Sequence, residues 1–287
     1  MLNQMGISWQ SPRVTRLCEP EHWFLAAILT ALVLYGPHSA SAAHLDEATP
    51  ACGDTGSLPL ETLGSDKKQR TLLFQQAAAC VSEGKALRAI TIFSALIEID
   101  PKDAAAYLNR GSVQGALGEK GLAMSDYSTA ISLQPDLVEA WYNRGTTLAH
   151  LRQYELAIAD FTEAIRLKPD LALAYCNRGY ANFQLSRYDE ALGDYTKAIA
   201  LDPRRLIYCY FRRGTFYLTI GAYQKAVDDL TKVLEQKPSE AIALSRRGQA
   251  YEGLGQLDRA RDDFRAALEV NPNLESASEG IGRLTEH

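Results

Sequence analysis

Five polar side chains recur along the chain at intervals of 34 or 35 residues: Asn109, Asn143, Asn177, Arg212 and Arg246. An asparagine amide both donates and accepts hydrogen bonds, which matches the N–H and C=O groups of an extended peptide. An arginine guanidinium binds a carboxylate through two parallel hydrogen bonds. The set therefore predicts a protein or peptide partner, with an acidic side chain or a chain terminus at the arginine end.

Aromatic residues near this set are candidates for side-chain pockets: Tyr142, Tyr180, Phe183 and Phe211. An alternative for the asparagines is that they solvate an exposed face or hydrogen-bond between neighbouring helices. The chain is then a structural or self-associating component that has no peptide ligand. The substitution Asn143→Ala separates the two hypotheses, because only the first needs this amide for binding.

Other chemistry finds no support in the sequence. The formal net charge of -5 argues against a nucleic-acid partner. None of the motifs C-x-x-C, G-x-x-x-x-G-K-[ST] or G-x-S-x-G is present. The five histidines include no pair at helical ligand spacing, so we expect no metal and no cofactor. The sequence predicts a protein that is not an enzyme.

Prolines repeat with the same period as the polar side chains. Pro101, Pro135, Pro169 and Pro203 are 34 residues apart, Leu206 is a single insertion, and Pro238 and Pro272 resume the period. A strict period of this length indicates an array of like units. The predicted units are 70–103, 104–137, 138–171, 172–205, 207–240 and 241–274.

Each unit carries two amphipathic stripes. In the third unit, Trp141, Gly145 and Leu148 form one stripe at helical spacing, and Ala157 and Phe161 begin the second. We therefore expect two helices, with the proline ending the second because it lacks an amide hydrogen. A glycine at position 8 lets the two helices approach closely: Gly111, Gly145, Gly179, Gly214 and Gly248.

The repeated words resemble the tetratricopeptide repeat family. "WYNRGTTLAHLRQYELAIADFTEAIRLKP", from Trp141 to Pro169, has an aromatic residue at position 4, Gly at 8, Ala at 20 and 27, an aromatic at 24 and Pro at 32. "YCNRGYANFQLSRYDEALGDYTKAIALDP", from Tyr175 to Pro203, matches at the same positions. The resemblance implies an all-α protein: a right-handed superhelical solenoid of helix-turn-helix repeats.

The resemblance also implies where the polar set lies. Position 6 is roughly 160° around the helix from positions 4 and 8, and in this family that face of the first helix lines the concave groove. Some members hold an extended peptide with such asparagines, and others clamp a terminal carboxylate. The likeness to the clamp is partial, because its lysine at position 2 is replaced by Glu139, Leu173 and Tyr208.

Arginine at position 7 occurs together with an acid at position 23. Units two to six have both residues: Arg110 and Asp126, Arg144 and Asp160, Arg178 and Asp194, Arg213 and Asp229, Arg247 and Asp263. Unit one has neither, with Gln76 and Ile92 instead. This joint occurrence predicts a structural ion pair between the two helices of a unit or across adjacent units.

The N-terminus has the order of a secretory signal. Basic residues precede the apolar run Trp23–Tyr35, and Ala40-Ser41-Ala42 is a cleavage site, so we expect a signal over 1–42 and a periplasmic or secreted protein. The alternative is an uncleaved anchor, although thirteen residues fall short of the roughly 20 that span a bilayer. Cys52 lies too far downstream for a lipid anchor. Association of the array with a membrane complex is a further hypothesis.

Cleavage leaves Cys52, Cys80, Cys176 and Cys209, which allow three complete pairings. A bond between Cys52 and Cys80 is one hypothesis, and it attaches the predicted linker 43–69 to the first unit. The alternative for Cys80 is a small apolar filler of the core. Residues 275–287 after the last unit predict a C-terminal cap helix.

Overall fold

The computed structural model describes residue 52 and residues 67–203 and 207–285. The predicted signal, most of the predicted linker and residues 286–287 lie outside them. The described residues form thirteen helices and no strand: α1 Lys67–Ser82, α2 Ala86–Ile99, α3 Ala104–Ala116, α4 Lys120–Leu133, α5 Val138–His150, α6 Tyr154–Leu167, α7 Ala172–Gln184, α8 Tyr188–Leu201, α9 Ile207–Thr219, α10 Tyr223–Gln236, α11 Ala241–Gly253, α12 Leu257–Val270 and α13 Glu275–Thr285.

The helices pair in chain order, so the all-α solenoid predicted from the sequence is confirmed. Odd-numbered helices, called first helices below, pack against the second helix that follows them, and each second helix packs against the next first helix. Successive first helices from α3 to α13 also touch one another. Second helices make no contact of similar extent with each other in the described part, so the first helices line the inner side of the right-handed superhelix.

Glycine at position 8 brings the two helices of a unit together, as predicted. A Cβ atom on Gly145 would lie 3.1 Å from the Cβ of Asp160 and 3.1 Å from the Phe161 ring. A Cβ on Gly179 would lie 3.1 Å from the Ala191 carbonyl oxygen. The helix axes are therefore closer at this point than a larger residue allows.

The turns inside a unit and between units have different causes. The residue at position 15 is left-handed in every unit: Gly84, Gly118, Arg152, Ser186, Gly221 and Gly255. Between units, the residue before proline is extended, for example Lys168 with φ -134° and ψ 88°. Proline disfavours the helical region for its predecessor, so each second helix ends there.

The five predicted arginine–aspartate pairs are all present, and each lies within one unit. In the third unit Arg144 donates from Nε and Nη2 to the two carboxylate oxygens of Asp160, at 2.7 and 2.8 Å. Its Nη1 also donates to the Ser128 hydroxyl of the preceding unit, at 3.2 Å. The arginine therefore joins its own second helix to the preceding one.

The two ends of the described array have their own contacts. Cys52 forms a disulfide with Cys80, and its backbone N–H donates to Glu83. At the other end, Arg283 on α13 pairs with Glu252 on α11 at 2.7 Å. Among the described residues, no helix is both long enough and apolar enough to cross a bilayer.

Candidate functional site

The three asparagines at position 6 lie on first helices but differ in their contacts. Asn143 donates from Nδ2 to the Ser112 hydroxyl at 3.2 Å, and Asn177 donates to the Tyr142 hydroxyl at 3.1 Å. Asn109 is buried and donates to the Ala105 carbonyl of its own helix at 2.8 Å. Asn143 and Asn177 thus link neighbouring first helices by hydrogen bonds.

Two of the amides keep a free hydrogen-bonding edge. Asn143 and Asn177 are half-buried, and no described residue donates to either Oδ1 atom. Each side chain therefore keeps an acceptor and a second amide hydrogen without a partner among the described residues. Asn109 is less suited to a ligand, because it is only 8% exposed. A continuous ladder of three asparagines stays a prediction, and these contacts favour its last two members.

Arg212 on α9 lies among tyrosines. Its guanidinium carbon is 3.5 Å from the centre of the Tyr180 ring and 4.5 Å from that of Tyr208, and Nη2 donates to the Tyr208 hydroxyl. Its Nε is inaccessible to solvent and has no hydrogen-bond partner among the described residues. We call Arg212, Tyr180 and Tyr208 the arginine cage.

The electrostatics of the cage are those of a half-buried cation with no carboxylate partner among the described residues. Burial lowers the pKa of Arg212, and the neighbouring Tyr195, Tyr180 and Tyr154 oppose that shift. Arginine nevertheless stays protonated at physiological pH. No carboxylate of the described residues forms a salt bridge with it, so its charge is balanced only by ring faces and hydroxyl groups.

Arg246 repeats this situation one unit later. Its Nε is buried and has no partner among the described residues, and burial alone lowers its pKa. It lies on α11 beside Ser245, whose hydroxyl is 2.8 Å from that of Ser276. Units five and six thus place two arginines without a carboxylate partner among the described residues at the same position of their first helices.

The predicted aromatic pockets are mostly packing contacts. Tyr142 is half-buried against Phe161, and burial raises its pKa to about 12. Phe183 packs against Phe216 at 5.9 Å between ring centres, and Phe211 lies beside the core cluster of units five and six. Of these four aromatic residues, only Tyr180 is in contact with an arginine side chain in the described part of the chain.

Sequence reasoning missed Tyr208 as a site residue. It lies one helical turn before Arg212, and the sequence had marked it only as the replacement for a clamp lysine. An aromatic residue four positions before an arginine on a helix is the signal for such a contact, since residues i and i+4 are neighbours.

A second disulfide lies next to the cage. It joins Cys176 on α7 to Cys209 on α9, with the Cα atoms 5.8 Å apart. Both cysteines are fully buried. Among the described residues, no cluster of His, Cys, Asp and Glu is arranged to hold a metal ion.

The fold and the inner face define a class of protein: an α-helical repeat solenoid of the kind that serves protein–protein interaction. Models of the tetratricopeptide repeat match residues 138–171, 172–205 and 241–274, and a second model of that repeat matches 104–137 and 207–240. Together they cover more than half of the chain, which belongs to the tetratricopeptide repeat family. No curated protein matches it significantly.

Several solved structures share the fold. MamA is 28% identical, with 59% of this chain and 92% of that chain covered and a TM-score of 0.53. YrrB, a TPR protein with an unusual peptide-binding site, is 22% identical, with 66% and 97% covered and a TM-score of 0.56. PilF of Pseudomonas aeruginosa is 18% identical, with 75% and 97% covered and a TM-score of 0.68.

Proposed function

We propose that this chain is a non-catalytic scaffold that binds an extended, acidic segment of a partner protein along the inner face of its first helices. One observation carries the proposal. The arginines at position 7 of units two to six all have an aspartate partner, whereas Arg212 and Arg246 at position 6 have none among the described residues.

The contrast has an energetic meaning. A buried charge that lacks a partner destabilises the folded state, and proteins ordinarily pair it. The neighbouring arginines on the same helices, Arg213 and Arg247, have aspartate partners, whereas these two have none among the described residues. A carboxylate from a ligand would restore charge balance, and a guanidinium can hold it in a bidentate manner.

The two available asparagines extend the site toward unit three. Asn143 and Asn177 each have an acceptor and an amide hydrogen without a partner among the described residues, which suits the backbone of an extended segment. We propose that the asparagines bind the backbone of the partner segment and that the arginines bind its acidic group. The likeness to YrrB supports peptide binding as a use of this fold.

We place the protein in the cell envelope or outside the cell. The two disulfides support this, because disulfides persist in oxidising compartments. The predicted signal over 1–42 lies outside the described residues and agrees with the same location.

The alternative is a structural envelope component that lacks a peptide ligand. The amide bonds from Asn143 to Ser112 and from Asn177 to Tyr142 favour it, because they link adjacent first helices. Under this alternative Asn143→Ala weakens the array and changes no binding.

The test is an unbiased selection from a random peptide display library against the purified protein. We expect peptides enriched in Asp, Glu or a free C-terminus, and a loss of about tenfold or more in affinity for the double variant Arg212→Gln, Arg246→Gln. The control is Arg187→Gln, Arg265→Gln, which removes the same charge from exposed positions. Enrichment without acidic groups, or equal losses in both variants, contradicts the proposal.

A further inference from the structure

The disulfide between Cys176 and Cys209 and the arginine cage connect the same two helices. Cys176 precedes Tyr180 by four residues on α7, and Cys209 precedes Arg212 by three residues on α9. Residues three or four apart lie on the same helix face. The covalent bond and the arginine–tyrosine contact are therefore adjacent links across one interface, about one helical turn apart.

This junction differs from the others of the array. At three other junctions a hydrogen bond joins successive first helices: Asn143 to Ser112 between units two and three, Asn177 to Tyr142 between units three and four, and Ser245 with Ser276 between unit six and α13. Between units four and five the chain has one inserted residue, Leu206, and the link between first helices is covalent. The covalent link is found where the period of the repeat is broken.

We infer that the disulfide between Cys176 and Cys209 is a positioning element of the anion site, so that ligand binding requires the oxidised protein. This rests on the proposed function. With the bond intact, α7 and α9 hold the Tyr180 ring against the guanidinium, and Tyr208 holds its Nη2. With the bond reduced, the Tyr208 contact within α9 remains, but no covalent link holds Tyr180 on α7 against the guanidinium, so the cage loses its fixed geometry.

The redox step is a thiol–disulfide exchange. A dithiol reductant gives up two electrons and two protons, the sulfur–sulfur bond breaks, and two protein thiols and the oxidised reductant are formed. Both sulfur-bearing residues are fully buried, so exchange requires local opening of the junction. The affinity for the ligand then depends on the redox state of the compartment that holds the protein.

The experiment compares two double variants of the full mature chain. Cys176→Ala, Cys209→Ala removes the bond beside the cage, and Cys52→Ala, Cys80→Ala removes the bond at the N-terminal end as a matched control. The probe is a pool of fluorescein-labelled decapeptides with two glutamates in otherwise random sequence, and a second pool has glutamines in their place. Circular dichroism verifies that both variants keep the helical content of the wild type.

We expect the first variant to bind the glutamate pool about tenfold more weakly and the control to bind as the wild type does. A dithiol should weaken binding by the wild type and leave the first variant unchanged. Hydrogen exchange should rise in α9 of the first variant alone. Equal binding by both variants contradicts the inference and leaves the proposed function standing. An oxidised wild type that does not prefer the glutamate pool contradicts both.

Discussion

Arg212 and Arg213 are consecutive residues of α9, and of the two only Arg213 has a carboxylate partner within the described part of the chain. Arg213 donates to the two oxygens of Asp229 at 2.7 and 2.9 Å, whereas the Arg212 guanidinium lies 3.5 Å from the centre of the Tyr180 ring. The same helix thus carries one arginine used for structure and one that we assign to a ligand.

The two arginines should respond differently to substitution. Arg213→Met leaves Asp229 buried without a partner, so the free energy of unfolding should fall by about 3 kcal/mol. Arg212→Met removes a half-buried charge and a ring contact together, and these effects oppose each other. It should change stability by less than about 1 kcal/mol. Urea unfolding of both variants measures this, and a larger loss for Arg212→Met would assign it a structural role.

The glycine at position 8 can be tested within one unit. Gly179→Val should destabilise the protein by about 2 kcal/mol, because the added atoms meet the Ala191 carbonyl and the Tyr195 ring. Gly193→Ala on α8 is the control, since no atom lies within 4 Å of its added Cβ. It should stabilise by about 0.5–1 kcal/mol. Thermal unfolding that ranks the two variants in the opposite order would contradict the packing described.

Stability should decline in alkaline solution. Burial raises the pKa of Tyr142 from 10.0 to about 12, and it also raises the pKa of Tyr127 and Tyr195. Between pH 10 and 12 the folded state therefore holds a proton on Tyr142 that the unfolded state has lost, so the free energy of unfolding falls as pH rises. The slope reaches about 1.4 kcal/mol per pH unit for each such tyrosine.

Tyr142→Phe removes one of these tyrosines. The free energy of unfolding of this variant should therefore fall less steeply with pH than that of the wild type. The measurement is urea unfolding at several pH values from 9 to 12 for both proteins. Parallel curves, shifted only by a constant, would mean that Tyr142 titrates alike in the folded and unfolded states.

The proposed export predicts two properties of the mature chain. Protein isolated from the host should begin at Ala43 and should carry no free thiol, because Cys52, Cys80, Cys176 and Cys209 are all paired. N-terminal sequencing and alkylation before and after reduction measure both properties. A chain that begins at Met1 and alkylates without reduction would place it in a reducing compartment.

Repetition explains how much of the fold the sequence predicts. The proline, the glycine at position 8 and the arginine–aspartate pair each recur at a fixed distance along the chain. The structure expected for one unit is therefore expected for the others. The pair of Arg144 with Asp160 is an example. Arg144 also donates to the Ser128 hydroxyl of the preceding unit, and the equivalent arginines of neighbouring units make the same kind of contact. Left-handed turns at Arg152 and Ser186 were not foreseen, because neither residue type marks them.

The site is harder to predict because its contacts change from unit to unit. Asn143 meets a serine of the preceding helix, and Asn177 meets a tyrosine. The cage needs Tyr208, which occurs at position 2 of one unit alone. Four cysteines leave three pairings open, and the pairing of Cys176 with Cys209 depends on how helices of different units are arranged in space.

The most direct test of the peptide-binding groove is photo-crosslinking in the host from position 173, where Leu173 is exposed one helical turn before Asn177. A photoreactive residue in place of the exposed Arg187, at the turn before α8, is the control from the same unit. Mass spectrometry should identify one discrete protein, joined through an acidic segment, from position 173 and none from position 187. Adducts with a second copy of this chain, or the same adducts from both positions, would contradict a peptide-binding groove.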